Sequence, residues 1–399
     1  MFKPLEGVNV VDLTLAGSGP SCTKLLAELG ANDIWVEALS GTSTRSVHKF
    51  DFYSTGKRAI ALNLKTPEGK EALTRLLKKA DVFVSNYRPK GLAHLGLSYE
   101  EVKAIKPDII YATLTGFGES GAEANDAGYD PVAFWAKGGL LQDIAEKGSL
   151  VVPPVAIGDI STGAILFGGI SAALYKKQLT GEGCHVMASL LNSAVYMNHD
   201  ALIEVQYGEE YPKSRLQPRR AMLNTYRCSD DKWISITITD KFEKYFNPLL
   251  KAIGREDLIG DPRWTKIEDT MYEGAPELVA ILDEGFAKMT QDEAIAAMKG
   301  IDAPVARVQQ TKDLLTDPQV LANKYIYKLE ATVPPEGCGE DREIWVPSSP
   351  LKYNDVDSGV IGNQKGPRIG ENSVEILKEY GFSEEEIQAM LDKGVTKQA

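Results

Sequence analysis

Short apolar runs alternate with longer amphipathic segments along the first part of the chain. Apolar runs of four to six residues between turn-forming or polar residues are typical of buried strands, and they fall at 8–13, 34–37, 59–64, 82–85 and 109–114. Between them, Pro20 and Pro67 suit the first turns of helices that we expect to end near Leu29 and Lys79. This alternation predicts an α/β fold, with a parallel sheet covered by helices on both faces. Ligands of such sheets bind at the carboxyl ends of the strands.

The rest of the chain predicts a loop, further helices and a second domain. Residues 116–128 are rich in Gly, Ala and Asp without periodicity, which indicates a loop. We expect a helix over 129–141 broken at Gly138-Gly139, a small-residue helix over 161–178, and a strand over 185–188 that leads into a helix ending at 204. Later segments predict a strand at 233–238 and helices at 241–253, 276–289, 291–299 and 383–393.

These patterns suggest two domains in a chain of 399 residues. We expect the large domain to begin with residues 1–207 and a linker to follow at 208–224. The segment 225–325 would form a smaller α+β domain. Residues 326–399 would then be a linker and a return to the large domain.

Composition and charge narrow the class of protein. The chain is 43% hydrophobic and carries a net charge of -12, which argues against wholesale disorder and against non-specific nucleic-acid binding. Its four cysteines are scattered without a C-x-x-C pair, so we expect neither a zinc site nor a disulfide framework. We also expect no signal peptide and no apolar stretch of about 18 residues, which together predict a cytoplasmic protein.

One six-residue stretch, Gly158-Asp159-Ile160-Ser161-Thr162-Gly163, stands at the predicted start of the small-residue helix. A helix N-terminus favours negative charge, so we expect the Asp159 carboxylate to stay ionised. On local grounds Asp159 is most simply a helix cap. It becomes a candidate nucleophile if the site excludes water and presents an electrophile.

Other motifs are less informative. Gly17-Ser18-Gly19 after a strand, with Glu37 after the next strand, is typical of dinucleotide sites. However, Cys22 stands where that motif has its third glycine, and the geometry of a turn alone explains the first two glycines. The four histidines have no metal-ligand spacing, and His48 lies in a polar stretch typical of a surface. The segment 86–91, NYRPKG, follows a strand and contains an amide, an aromatic ring and two cations, which suit the binding of a nucleotide. The alternative is an ordinary exposed loop.

Motifs along nearly the whole chain resemble those of the family III (formyl-CoA/carnitine-type) CoA transferases. They are LEGVNVVDLT (5–14), GPSCT (19–23), LGA (29–31), KRAIALNLK (57–65), ADVFVSNYRP (80–89), GFG (116–118), GYDP (128–131), GDISTG (158–163) and IDAPVARV (301–308). The resemblance implies a Rossmann-like large domain made from both chain ends, a small domain, and an interlocked homodimer. It implies a coenzyme A thioester as substrate, with no permanently bound cofactor and no metal.

The resemblance also implies roles for individual residues. Asp159 stands at the family's catalytic carboxylate, which would form a mixed anhydride and then an aspartyl-CoA thioester. The residues that the resemblance assigns to CoA binding are Leu62, Asn63, Leu64, Lys65, Asn86, Tyr87, Arg88, His94, Ala127, Gly128, Tyr129 and Asp130.

Three departures from the family pattern bear on the substrate. Gly17 and Ala38 replace residues that are polar and arginine in some members, and the glycine-rich lid of the formyl-CoA branch is absent at 215–220. The pattern is closer to the branch that acts on aryl-lactates and branched 2-hydroxy acids in amino-acid fermentation. Two alternatives remain at this point, a non-catalytic CoA-binding protein and an acyl-CoA racemase of the same fold. The racemase branch has a His where this chain has Tyr129, whose ordinary pKa near 10 suits acid/base work poorly.

Overall fold

The fold was analysed in a computed structural model, which describes residues 3–146, 148–333, 342–353 and 365–399. The chain divides into two compact units. The large unit comprises 1–140, 152–202 and 318–399, and the small unit comprises 141–151 and 203–317. Residues 208–224, suggested by the sequence as a linker, therefore lie within the small unit.

Twelve strands occur in the described part of the chain. They are β1 (Asn9–Leu13), β2 (Asn32–Glu37), β3 (Arg58–Leu62), β4 (Val82–Ser85), β5 (Ile110–Thr115), β6 (Cys184–Ser189), β7 (Leu223–Arg227), β8 (Trp233–Thr237), β9 (Val305–Arg307), β10 (Ile326–Glu330), β11 (Glu343–Pro347) and β12 (Thr396–Lys397). All five apolar runs predicted as strands in the first 115 residues are confirmed.

The α-helices of the described residues lie between and after these strands. They are α1 (Ser18–Glu28), α2 (Phe50–Ser54), α3 (Pro67–Lys79), α4 (Pro89–Leu95), α5 (Tyr99–Ile105), α6 (Leu140–Asp143), α7 (Ile157–Thr180), α8 (Leu190–Met197), α9 (His199–Glu204), α10 (Phe242–Ala252), α11 (Ala275–Phe286), α12 (Gln291–Gly300), α13 (Pro318–Ala322), α14 (Ser373–Glu379) and α15 (Glu384–Asp392). A π-helical segment, Asp130–Ala136, precedes α6.

A seven-stranded sheet forms the centre of the large unit. Its strand order is β12-β3-β2-β1-β4-β5-β6. All neighbouring strands are parallel except β12, which pairs antiparallel with β3 and so joins the end of the chain to the sheet. The predicted parallel sheet built from both chain ends is confirmed. Because β1, β4 and β5 are neighbours, the loops that follow them meet at one edge of the sheet.

Helices cover both faces of this sheet. On one face, alternate residues of β1, β2 and β3 pack with apolar residues of α3, α5, α14 and α15 in the main hydrophobic core. On the other face α1 packs closely against α7, where a Cβ added to Gly163 would lie 2.7 Å from the Ser18 carbonyl oxygen and 2.7 Å from Ser21 Cβ. The absence of a side chain at Gly163 therefore allows the two helices to approach closely.

The helix α7 contradicts the expectation that no long apolar stretch would occur. It has 24 residues and a mean hydropathy of 1.5 over its most apolar window, so by length and composition alone it could cross a membrane. In the large unit it is the crossover helix between β5 and β6, and it packs on α1 and on both strands. Only a third of that window is buried within the chain.

The small unit is an α+β structure with its own core. The strands β7, β8 and β9 form an antiparallel sheet. Apolar residues of these strands pack with α10, α11 and α12, and Tyr226, Leu249 and Phe286 are fully buried in that core. The alternating pattern at 233–238 is explained by this packing, since Ile234 and Ile236 face the core.

Candidate active site

A cavity of about 680 Å³ opens at the carboxyl edge of the sheet in the large unit. Its walls come from the loops after β1, β4 and β5 and from the start of α7. The lining residues are Leu15, Ala16, Ser18, Asn86, Tyr87, Arg88, Lys90, Gly91, His94, Thr115, Gly116, Ala124, Asn125, Asp126, Ala127, Gly128, Tyr129 and Asp159. Its position agrees with the expectation that ligands of such sheets bind at the carboxyl ends of strands.

Asp159 is the third residue of α7 and is not its cap. The helix begins at Ile157, its N-cap is Ala156, and no side chain caps it. The expectation that Asp159 is the helix cap is therefore wrong, because the helix starts earlier than the sequence pattern indicates. Ala156 has a φ of 75°, a conformation that is uncommon for a residue with a Cβ and that turns the chain sharply into the helix.

The Asp159 carboxylate also faces the N-terminus of a second helix, α1. A Cβ added to Gly17, the residue before α1, would lie 2.3 Å from Asp159 Oδ2. The Ser18 side chain, on the first residue of α1, forms a hydrogen bond with the Asp159 carboxylate. The absence of a side chain at Gly17 thus lets the carboxylate approach the N–H groups that open α1. Ala16, just before, has a φ of 61°, and backbone of this kind clusters at functional sites.

A second carboxylate lies beside Asp159. Asp130 is buried, and its Oδ2 accepts a hydrogen bond of 2.9 Å from the Asp159 backbone N–H, while its Oδ1 has no partner. Burial, and then the charge of Asp130, raise the pKa of Asp159 to about 6, against the opposing effects of Lys49 and Ser18. The expectation that the helix N-terminus keeps this carboxylate fully ionised is too simple, because burial and a neighbouring charge outweigh it.

The short helix α2 adds further groups around the carboxylate. Burial first, and then the charges of Asp159 and Asp130, raise the pKa of Tyr53 to about 12. The cation that lowers the pKa of Asp159 is Lys49, which directly precedes α2. The exposed ammonium group of Lys49 therefore acts on Asp159, and the Asp159 charge in turn acts on the buried phenol of Tyr53.

Hydrogen bonds between loops fix the opposite wall of the cavity. The Asn86 side chain pairs with the Leu15 backbone, accepting from N at 2.8 Å and donating to O at 2.7 Å. Arg88 Nη1 donates to the Asn125 carbonyl oxygen at 3.2 Å, and the Lys90 backbone N–H donates to Asn125 Oδ1 at 2.9 Å. The loops after β1, β4 and β5 are thus joined to one another, and they present cationic side chains to the cavity.

The structure brings together many, but not all, of the residues that the sequence assigned to the site. Around the cavity lie Asn86, Tyr87, Arg88, His94, Ala127, Gly128, Tyr129 and Asp159. Asp130 is buried beside Asp159 and is not among the residues that line the cavity, so a contact between Asp130 and a ligand remains a prediction.

The assigned residues after β3 lie away from this cavity. Leu62, Asn63, Leu64 and Lys65 are not among its lining residues. The reason is the strand order, since β3 is separated from β1 by β2. Leu62 is buried and pairs with Thr396 of β12 in the sheet, while Lys65 is exposed. A contact between this segment and a ligand remains a prediction.

Glu37 and Gly19 have structural roles. Arg45 forms a bidentate ion pair with the buried Glu37 carboxylate, with a distance of 2.9 Å from Nε to Oε2. A Cβ added to Gly19 would lie 2.6 Å from Thr14 Cβ. The packing of Gly19 and the ion pair of Glu37 therefore explain these residues without a dinucleotide-binding site.

Several cavity residues were not expected from the sequence. The loop 116–128 supplies Ala124, Asn125 and Asp126, although it shows no motif beyond GFG at its start. Ser18 could have been recognised from its place at the start of the helix that follows the first strand. Lys49 and Tyr53 carry no signal in the sequence, because their proximity to Asp159 arises from tertiary packing.

Other candidate chemistry is limited in the described residues. In these parts of the chain, no group of three or more His, Cys, Asp or Glu side chains could hold a metal ion. Cys22, Cys184 and Cys228 are free thiols, and Cys338 lies outside the described residues. His48 is exposed, as its polar surroundings predict.

Comparison with known proteins identifies the family. The profile described as CoA-transferase family III matches residues 5–373. The chain is 32% identical to the (R)-2-hydroxy-4-methylpentanoate CoA-transferase of Clostridioides difficile, over 98% of this chain and 99% of that protein. It is also 32% identical to the cinnamoyl-CoA:phenyllactate CoA-transferase of Clostridium sporogenes, over 96% of this chain and 95% of the relative.

A solved structure shows the same fold. A CAIB/BAIF family protein from Brucella suis superposes with a TM-score of 0.80 at 27% identity, over 95% of this chain and 100% of that one. The family profile, the two relatives and this neighbour each cover nearly the whole chain. The chain therefore belongs to CoA-transferase family III and is an enzyme that transfers coenzyme A.

Proposed function

We propose that Asp159 is the nucleophile of a CoA transfer between an acyl-CoA thioester and a free carboxylic acid. The observation that carries this proposal is the placement of the Asp159 carboxylate in the wall of the cavity, at the N-termini of α7 and α1. A carboxylate so placed is ionised in most molecules at neutral pH, about nine in ten for a pKa near 6. It can attack a thioester without prior activation by a base.

The transfer conserves the energy of the thioester through covalent intermediates. The Asp159 carboxylate attacks the donor's carbonyl carbon, the C–S bond breaks, and CoA leaves as a thiolate, which leaves a mixed anhydride of Asp159 and the donor acid. The thiolate then attacks the Asp159 carbonyl carbon, which releases the donor acid and leaves an aspartyl-CoA thioester. The acceptor carboxylate attacks this thioester, which releases the CoA thiolate and forms a second mixed anhydride, between Asp159 and the acceptor. The thiolate then attacks the acceptor's acyl carbon, which gives the acceptor's CoA thioester and restores the Asp159 carboxylate.

Backbone N–H groups can stabilise the oxyanions of these steps. The Asp159 N–H is already bound by Asp130, and the Ile160 N–H donates to the Ala156 carbonyl oxygen at 2.9 Å. The N–H groups that open α1, beside Gly17, are therefore the better candidates. The cationic side chains Arg88 and Lys90 would hold the phosphates of CoA at the other end of the cavity.

For the substrates, we propose 2-hydroxy acids with branched or aromatic side chains as acceptors. The activities of the two relatives support this class, since one is a CoA-transferase for (R)-2-hydroxy-4-methylpentanoate and the other for phenyllactate. In the segment 215–220, where the oxalate branch has its glycine-rich lid, Arg215 is paired with Asp283 and Arg219 with Glu204. We place the reaction in amino-acid fermentation in the cytoplasm.

A panel of donors and acceptors tests the substrate class. Enoyl-CoA and 2-hydroxyacyl-CoA donors are each combined with 4-methyl-2-hydroxypentanoate, phenyllactate, oxalate or succinate, and the new thioesters are measured by mass spectrometry. We expect 2-hydroxy acids to exceed the two dicarboxylates by roughly 100-fold in kcat/KM, as discrimination by a fitted pocket allows. Equal rates with oxalate would contradict this class. Rapid deuterium uptake at the α-carbon without an acceptor would instead indicate a racemase.

The activity should depend on the ionisation of Asp159. Because the pKa of Asp159 is raised to about 6 and only the carboxylate is nucleophilic, kcat/KM should fall tenfold per pH unit below about pH 6. Asp130→Asn removes the neighbouring charge but keeps an oxygen that can accept from the Asp159 N–H. We expect this variant to move the acidic limb to lower pH, by up to about one unit. An acidic limb that stays in place would show that Asp130 does not act on the reacting group.

We also propose that two copies form a homodimer through the exposed face of α7, interlocked as in the family it resembles. Along α7 the side chains of Tyr175 and Leu179 are 68% and 67% exposed. Met187 on β6 and Tyr196 on α8, two elements that contact α7, are also exposed. Monomeric soluble proteins rarely expose an apolar surface that extends over three adjoining elements. A second copy is the occupant that the family resemblance implies.

A further inference from the structure

The loop 116–128, which forms one wall of the cavity, is closed at its base. A Cβ added to Gly116 would lie 2.6 Å from the Gly128 Cα, so the two ends of the loop are in direct contact. Compact loops whose ends meet in this way are Ω-loops, and they hold their shape through internal and basal contacts. Ala124, Asn125 and Asp126 at the far side of this loop line the cavity. The position of that wall therefore depends on what fixes the loop to the sheet.

Glu119 connects the loop to the sheet. Its Oε1 accepts a short hydrogen bond from the Thr113 hydroxyl on β5 and lies 3.3 Å from His185 Nε2 on β6. Burial would raise the pKa of Glu119, but hydrogen bonds from His185 and Thr113 lower it overall, so the carboxylate is stabilised in its charged form. Hydrogen bonds to a charged group are stronger than those between neutral groups. Glu119 does not line the cavity.

Aromatic packing holds the imidazole of His185 in place. The Tyr99 ring stacks on it at 5.1 Å between centroids, and the Tyr111 ring meets it edge-on at 4.9 Å. His185 Nε2 is also 2.9 Å from Thr113 Oγ1. Glu119 thus binds to a pair of side chains that two strands and two aromatic rings keep in position.

The loop also forms hydrogen bonds on the cavity side and an ion pair between exposed side chains. Asn125 binds Arg88 and the Lys90 backbone, and Glu123 forms an ion pair with Lys137 that is more than two-fifths exposed on both sides. Exposed ion pairs contribute little to stability. At the base of the loop, a 3.0 Å bond from the Gly118 N–H to Thr115 Oγ1 adds to the Glu119 contacts.

We infer that Glu119 is a positioning residue for CoA binding, acting through Thr113 and His185 to hold the loop 116–128 against the cavity. The inference rests on the proposed binding of CoA in this cavity. Loss of the Glu119 contacts would leave Asn125 and its neighbours mobile while Asp159, on α7, keeps its place. The consequence is weaker binding of the CoA thioester with little change in the chemical step.

Glu119→Gln tests this inference, because it removes the charge and keeps the shape of the side chain. Two quantities are measured on the full-length protein: hydrogen exchange of the amides in 117–127, and steady-state kinetics with an acyl-CoA donor. We expect the exchange to be faster and KM for the thioester to rise roughly tenfold, about the effect of one charge-assisted hydrogen bond. We expect kcat to stay within about twofold.

Glu123→Gln is the matched control, since it neutralises another glutamate of the same loop whose ion pair is exposed. It should leave exchange and KM within about twofold of the wild type. Exchange or KM unchanged in Glu119→Gln would overturn the inference, as would a fall in kcat at constant KM. A wild-type protein that binds no CoA would contradict the proposed function instead, and the hydrogen exchange of Glu119→Gln would still decide whether this residue holds the loop.

Discussion

Asp159→Asn is expected to lower kcat for CoA transfer by roughly four orders of magnitude, since effects of this size follow the loss of a covalent nucleophile. The amide has nearly the shape of the carboxylate, so the contact with Gly17 and the start of α7 should persist. It cannot form the anhydride or the aspartyl-CoA thioester, because an amide oxygen is a poor nucleophile. The decrease is measured by the rate of formation of the acceptor's CoA thioester.

The binding of CoA should survive this substitution. Arg88 and Lys90 lie in the opposite wall of the cavity, so the dissociation constant for free CoA, measured by calorimetry, should change by no more than about threefold. Asp240→Asn, at an exposed aspartate of the small unit, is the matched control and should leave both quantities unchanged. A fully active Asp159→Asn variant would remove Asp159 from the chemistry altogether.

The pair of substitutions Tyr175→Glu and Leu179→Glu is expected to convert a dimer into monomers. Two charges introduced on the exposed apolar face of α7 would have to be buried in the interface without partners, at a cost of several kcal/mol. The same side chains are exposed in the single chain, so its own fold should tolerate the change. Sedimentation velocity at micromolar concentration measures the outcome.

An exposed apolar residue elsewhere provides the control for this experiment. Ile259 in the small unit is 37% exposed, and Ile259→Glu should leave the wild-type sedimentation coefficient unchanged. If the wild type sediments as a monomer, the homodimer proposal is contradicted. If the double variant remains a dimer, the interface does not include this face of α7.

The strands of the large unit could be predicted from the sequence because parallel strands buried on both faces have continuous apolar sequences. The segment 82–85 was predicted with the bounds that β4 has in the structure. The start of α7 was missed because Ala156, rather than a glycine or a polar cap, turns the chain into the helix. A left-handed alanine leaves no trace in composition or periodicity.

The chemistry of the candidate site was predicted only in part. Asp159 was recognised from its motif, but the direction of its pKa shift was not, since its burial and the approach of Asp130 both arise from the fold. The segment 62–65 came from a family resemblance that could not show how far β3 lies from the cavity. The contribution of Glu119 depends on the pairing of β5 with β6, which sets Thr113 beside the strand that carries His185.

The central claim is that Asp159 forms covalent bonds during transfer, and trapping tests it most directly. The enzyme is incubated with an acyl-CoA donor and hydroxylamine, which cleaves an anhydride or thioester of Asp159 to a hydroxamate, and the peptides are analysed by mass spectrometry. We predict that Asp159 becomes the hydroxamate only when the donor is present, and that Asp159→Asn gives no such product. An unmodified Asp159 in an enzyme that is turning over its substrates would contradict the covalent mechanism.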